Sequence, residues 1–380
     1  MGNPHLGDVA RNNDRAGIIQ KFYSSSAWIE GKAEDQLTHL LNYPAVKRVA
    51  AFPDLHPGKY GPVGCAVLSK NIHPHLIGND IGCGMSLFAL DKGSKKLKVD
   101  KAAKRLQSLE GSSPVHAREY LEGHGLSGAL FPSSMGTIGG GNHFCELQEL
   151  NEVLDEGICV QYDLQKGDRF LLVHSGSRTL GEEVFSTVSN VVMEGLDPKS
   201  EETTAYMIRH DEAVHWASLN RRLIASRAAQ VLGTDWRLLT DSPHNLIEHH
   251  NEGFLHRKGA AKANIPLVPL AGSRDALSYL LKPTGAAERS LASLSHGAGR
   301  KHDRRSMHGR FSNKKAARSQ MLRTSFGGRV VCADKNLLLE EAPKAYKAID
   351  QVRADIENFG LGVAIASFKP LVTFKKGKSS

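Results

Sequence analysis

The sequence predicts an α+β fold, mixed β-sheets surrounded by helices, as a single domain over residues 1–380. Three observations carry this. Short apolar runs bordered by glycine and proline, the mark of buried strands, dominate the first half. Stretches with helical periodicity are interspersed among them without the regular strand–helix alternation of a parallel sheet. No linker-like stretch divides the chain, and a chain of this length buries about three quarters of its unfolded surface in a core of its own.

The elements follow in order. Residues 46–52, 62–68 and 85–90 are apolar runs of strand length. Helical spacing covers 100–109, a strand 170–173, and a second helix 182–193. The longest helix, 203–232, carries Tyr206, Val214, Ala217, Leu223, Ala228 and Val231 on its stripe, and Gly233 stops it. Tyr346, Ile349, Val352 and Ile356 form one face of a helix over 342–358, with Gly360 after it, and a last strand covers 362–374.

Composition excludes several classes. Hydrophobic residues are 40% and charged residues 23%, which is ordinary for a globular chain and argues against general disorder. No apolar run approaches the roughly 18 residues of a membrane helix. The first 17 residues have no apolar core, so no secretory signal is expected. Cys65, Cys83, Cys145, Cys159 and Cys332 are an odd set with no C-x-x-C pair, which fits a reducing cytoplasm rather than a disulfide framework. The net charge is +9, and ten basic residues between His296 and Val330, opposed only by Asp303, account for it. Such a basic stretch points to a polyanion, most simply nucleic acid.

Eighteen histidines are the second anomaly, many of them beside Gly, Asn, Asp or Ser in loops at strand ends. Asp80 and Cys83, three apart among glycines, can converge on one cation. With His143, His174 and His244 from separate loops they make a carboxylate, thiolate and imidazole set. That set suits a borderline divalent ion, Zn, Mn, Fe or Co, and spacing does not choose among them. The 136–143 loop is of the glycine-rich kind that wraps phosphate with backbone N–H groups, but it is neither a Walker A loop nor a dinucleotide fingerprint. His296 lies between Ser295 and Gly297-Ala298-Gly299 at the head of the basic stretch. Its small neighbours leave the imidazole accessible, and Arg300 and Arg304 could hold phosphates beside it. It is a candidate nucleophile for phosphorus.

Taken together these loops resemble the RtcB RNA ligases. From about Ala51 to Gly377 the blocks PDLHPGK, GNDIGCGM, GTIGGGNHFCE, HSGSR, HN followed by HRKGA, SHGAGR and a C-terminal K-G appear in the family's order. The resemblance implies a GTP- and Mn2+-dependent ligase that joins RNA ends bearing a 2′,3′-cyclic phosphate or 3′-phosphate to 5′-hydroxyl ends, in RNA repair or tRNA splicing. It implies two Mn2+ ions per active site, one on Asp80, Cys83 and His143, the other on Cys83, His174 and His244. His296 would be the residue that is guanylylated. Asn142, Glu146, Ser273, Ser278, Gly297, Ala298, Gly299 and Lys375 would contact GTP, with Lys376 the rival for the guanine. Asp54, His56, Arg178, Arg300 and Arg304 would contact RNA or support the site. Broken tRNA or rRNA would be the partner, and, by analogy with divergent members, a release-factor-like repair protein.

Two departures from the family pattern bear on this. The usual G-S-M-G reads Gly272-Ser273-Arg274-Asp275 here, and Asp275 is expected to repel phosphate unless Arg274 compensates. Asn79 stands where an apolar residue is usual. The rival readings are a dinuclear metal-dependent phosphodiesterase or phosphatase, supported by the altered 272–275 loop, and a non-catalytic RNA-binding protein.

Overall fold

Two large β-sheets stand on either side of one cavity. A five-stranded sheet runs in the order Ile19–Lys21, Val46–His56, Val63–Ser69, Gly253–Lys258, Asn245–His250. The other sheet runs Val268–Leu270, Ser278–Pro283, Gly362–Lys376, Phe144–Val153, Arg169–Ser175, Gly84–Leu90, Trp236–Pro243, with Arg329–Cys332 pairing in parallel along Gly362–Lys376. A short ribbon, Ala260–Lys262 with Ser293–Ser295, lies between them in the chain. The computed structural model describes residues 18–109, 116–190, 193–285, 288–311 and 315–377. Residues 1–17, Lys314 of the basic stretch and Lys378 of the tail lie outside them.

The predicted mixed α+β class holds, and the apolar runs are strands: Val46–His56, Val63–Ser69, Gly84–Leu90 and Arg169–Ser175 are almost continuously buried. Both faces of these strands meet other layers, so they lack alternation. The 100–109 helix is Val99–Leu106 continued by a 3-10 turn, Gln107–Leu109. The longest helix, Glu201–Leu232, begins at Ser200, whose side chain accepts the Thr203 N–H, and ends at Gly233 in the left-handed conformation. It packs across Gly84–Leu90 and Arg169–Ser175, and besides apolar residues it buries Asn220 and Arg221.

Two helices differ from expectation. The one expected over 182–193 is Thr179–Ser186. Beyond it the hydroxyls of Ser186, Thr187 and Ser189 donate to backbone carbonyls three residues back, which competes with helix continuation. The one expected over 342–358 starts only at Ile349, after a 3-10 turn at Pro343–Ala345. Tyr346 is extended instead: its backbone bridges to Arg300 and its hydroxyl donates to Glu341, so a long-range contact overrides the apolar stripe.

Of the register shifts along the strand Gly362–Lys376, two fall near its C-terminal end. Against Phe144–Val153, Pro370 pairs with Gln148 and Val372 with Leu147, leaving Leu371 as an extra residue. Against Arg329–Cys332, Phe374 pairs with Val331 and Lys376 with Cys332, so Lys375 is the one skipped.

Candidate metal and nucleotide site

The strand ends converge on a cavity of about 390 Å³. Five donor side chains form a ladder there, with Asp80, Cys83, His174 and His244 on the cavity wall and His143 behind it. The Asp80 carboxylate lies 3.1 Å from His143 Nε2, and Cys83 Sγ is 3.3 Å from His143 Nε2 and 3.2 Å from His174 Nε2. His174 Nε2 is in turn 3.2 Å from His244 Nε2. Cys83 is thus central, with one histidine on each side. Five lone-pair donors facing one another at such distances repel unless protons or a cation lie between them. Among the described residues His143 and His244 each also keep a buried Nδ1 without a partner. Carboxylate, thiol and imidazole together fit a borderline divalent ion.

Local chain features make this convergence possible. A Cβ at Gly176 would fall 2.1 Å from Asp80 Oδ1, so only glycine lets the 174–178 loop close on the carboxylate. The Cys83 carbonyl accepts from His244 N, and Asn245 Nδ2 donates to the Asp80 carbonyl. From the long helix, Arg221 donates to the Gly82 and Ser175 carbonyls and pairs with Asp241, while Asn220 bonds Gly136, Thr137, Ser175 and Gly176. One helix therefore fixes three of the loops.

Burial sets the electrostatics. It pushes the His174 and His244 pKa values well below the usual imidazole value, with neighbouring histidines adding to the shift. Burial opposes ionisation of Asp80 too, but His143 and the Cys83 thiol outweigh it and hold its pKa below the usual carboxylate range. The Cys83 thiol goes up through burial, then through Asp80. Burial also raises Glu146 to about 7 against the bonds it accepts from Thr373 and Gln148.

His296 is beside the ladder, its ring centroid 4.5 Å from that of His244. Its Nδ1 is 2.7 Å from both the Gly259 carbonyl and Asp54 Oδ2, and its backbone N–H also donates to Asp54. A Nδ1–H held this way leaves the Nε2 lone pair free. Asp54 is fully buried behind it, and its loop is tied by Lys347 Nζ, which donates to the Pro53 and Leu55 carbonyls. His56 lines the cavity next to it.

Of the other expected residues, Asn142, Glu146, Ser273, Gly297, Ala298, Gly299, Arg300, Arg304 and Lys375 are on the cavity wall. Ser278 is behind it, its hydroxyl accepting from Gly272 N and Gln148 Nε2. Arg178 faces a separate hollow on the far side of the glycine loop, with its guanidinium over Gly139. Lys375 is buried on the cavity, donating to the His143 carbonyl, whereas Lys376 is exposed beside Asp334.

The expectation for Asp275 is overturned. Its carboxylate turns out of the cavity and accepts from Ser325 N and Oγ, while Arg274 turns in. The basic stretch is also not one open face. Arg300 and Arg304 pair with the buried Glu341 and Arg329 with Asp100, while Arg305, Arg310 and Arg323 are exposed without such a pairing among the described residues.

Sequence reasoning missed Glu341, which gathers Arg300, Arg304, Lys375 and the Tyr346 hydroxyl. It also missed Lys258, on the cavity and bonded to the Ile77 carbonyl. Nothing local marks Glu341. Asn220 and Arg221 carried a readable signal: they follow Ala217 by three and four residues, so polar groups stand on the apolar stripe.

Known proteins share this sequence pattern. A family model described as tRNA-splicing ligase RtcB matches residues 36–129 and 130–376. The chain is similar to the RNA-splicing ligase RtcB2 of Escherichia coli strain ATCC 25922, with 40% identity over 93% of this chain and 94% of that one. It is also similar to the tRNA-splicing ligase RtcB of Thermococcus kodakarensis, with 26% identity over 96% of each. The RNA-splicing ligase RtcB of Escherichia coli K12 is 27% identical over 88% of this chain and 92% of that one.

Proposed function

Since the chain belongs to the RtcB family and is an RNA ligase, we propose that it joins RNA 3′-phosphate or 2′,3′-cyclic phosphate ends to 5′-hydroxyl ends through a guanylylated His296. The observation that carries this is His296 beside the five-donor ladder, its Nδ1 fixed and its small-residue loop open to the cavity. Asp80, Cys83 and His143 would hold one Mn2+, and Cys83, His174 and His244 a second, supplying positive charge against phosphate oxygens.

The chain's own residues act as follows. Asp54 and the Gly259 carbonyl orient His296, so that its Nε2 attacks the α-phosphorus of GTP and pyrophosphate leaves as the P–O bond breaks. An RNA 3′-phosphate oxygen then takes the GMP from His296, restoring the imidazole. The 5′-hydroxyl oxygen attacks the activated 3′-phosphorus, GMP departs, and the phosphodiester is made. A cyclic end is first opened by water to the 3′-phosphate. Lys375 and Tyr346 line the cavity and would flank the base, and Arg304 with the exposed Arg305 and Arg310 would offer a path for RNA phosphates. RNA repair or tRNA splicing is the setting this chemistry serves. The relatives' names do not point to a release-factor-like partner, and the proposal does not include one. With Asp275 turned outward, the phosphodiesterase reading has no remaining support in the 272–275 loop.

The test is transfer of label from α-labelled GTP in the presence of Mn2+. Wild type should become labelled, and His296→Ala should take up none while keeping its thermal midpoint. Label that persists in the variant, or wild type that never labels with RNA and Mn2+ present, would sink the guanylate reading.

A further inference from the structure

Arg274 is the one position where an altered family loop points a new charge into the cavity. Its side chain is on the wall with 7% of its surface exposed. Among the described residues its guanidinium makes one hydrogen bond, from Nη1 to the Leu338 carbonyl at 3.1 Å, and no ion pair. Glu341, a buried carboxylate in its neighbourhood, is engaged by Arg300 and Arg304 at 3.1 and 3.3 Å. A buried guanidinium that no carboxylate pairs with directly is costly, so remaining donors that face a cavity call for acceptors from a ligand.

Position within the cavity says which acceptors. Arg274 shares the wall with Tyr346 and Lys375, and Cys332, Tyr346, Glu341 and Asp275 are its charged and ionisable neighbours. This is the aromatic end: Lys375 Nζ is 5.8 Å from the Phe144 ring centre, and Tyr346 lies under Arg300 at 5.3 Å. Aromatic faces flanked by cations suit a base better than a phosphate. A guanidinium fork matches the paired O6 and N7 acceptors of a 6-oxopurine. Adenine presents a donor at the first of those positions.

We propose that Arg274 reads the O6/N7 edge of the purine and is a specificity-determining residue of this chain, an inference that rests on the nucleotide-binding reading above. The family pattern has methionine here, so the contact adds discrimination rather than creating the pocket.

Calorimetric titration of the metal-loaded full chain with GTP, ATP and inorganic tripolyphosphate tests it. Arg274→Met should weaken GTP by about tenfold to a hundredfold, the value of one bidentate base contact, and leave ATP and tripolyphosphate within about twofold. Arg274→Lys, which keeps the charge and a donor for Leu338 but loses the fork, should not restore GTP affinity. Equal weakening of all three ligands would overturn the inference in favour of a phosphate contact or a strut to the Lys335–Glu340 helix. Unchanged preference for GTP over ATP in Arg274→Met would overturn it outright, with the nucleotide site intact. Wild type that binds no GTP would overturn the nucleotide reading and this inference together.

Discussion

Two groups of buried histidines sit in this molecule, and their rings are spaced alike. In the ladder the centroids of His143 and His174 are 5.2 Å apart, and those of His174 and His244 5.0 Å. In the group under the five-stranded sheet, His73 lies 5.9 Å from His75 and 5.5 Å from His256. What the Nε2 atoms meet is different. His75 Nε2 meets the Tyr43 hydroxyl, His73 Nε2 the Ser69 hydroxyl, and His256 Nε2 accepts the His73 backbone N–H. Each is matched to a neutral protein group. In the ladder, Nε2 meets only other ligand-type atoms. Burial and clustering are common to both. The partner of Nε2 separates a histidine that builds structure from one that awaits a cation.

The largest expected effect tests the centre of the ladder. Cys83→Ala should reduce bound Mn2+ from two ions to none by elemental analysis of the dialysed protein, because the thiolate serves both halves. Two retained ions would refute the bridging role. His244→Ala should lose one ion and keep the other, since its Nε2 faces His174 and stands at the end of the ladder away from Asp80 and His143. Loss of both would mean that the halves are not separable. His256→Gln should leave metal content unchanged, and any loss there would break the distinction between the two groups.

The smallest effect is in acid. Burial, then His73, holds the His256 pKa well below the usual imidazole value. The folded state therefore binds fewer protons than the unfolded chain below about pH 6.5, and stability falls as pH drops through that value. His256→Gln should remove up to about 1.4 kcal/mol of loss per pH unit in that range, read from urea midpoints at pH 7.5 and 5.5. Equal acid slopes for the two proteins would show that His256 is already protonated in the fold.

Much of this was legible in the sequence because it is local. Apolar runs gave the strands, and the strand-end loops bearing Asp80, Cys83, His143, His174 and His296 were marked by their glycines, since a loop that must bring a ligand close writes its glycines next to it; His244 was marked only by Pro243 and Asn245. The rest depends on distant partners. The stripe through Tyr346 reads as helix until Glu341 and Arg300 claim that residue. Asp275 reads as an intruder until Ser325, fifty residues on, takes its carboxylate. Glu341 has no flanking pattern at all, and its importance comes wholly from the four groups the fold delivers to it.

The extra residue at Leu371 has a consequence for how the chain tolerates change in length. Along a strand, neighbours point to opposite sides, so the identity of the lysine that meets the cavity is a matter of parity. The bulge at Leu371, followed by the skip at Lys375 on the other edge, sets that parity after the long Gly362–Lys376 strand has already been committed to its partners. It works as a vernier. A residue gained or lost upstream would be taken up at that bulge, provided Thr373 kept its place opposite Glu146 and Lys375, two places on, its place at the cavity. Two adjacent lysines at the end of such a strand give the register a spare tooth on which to catch.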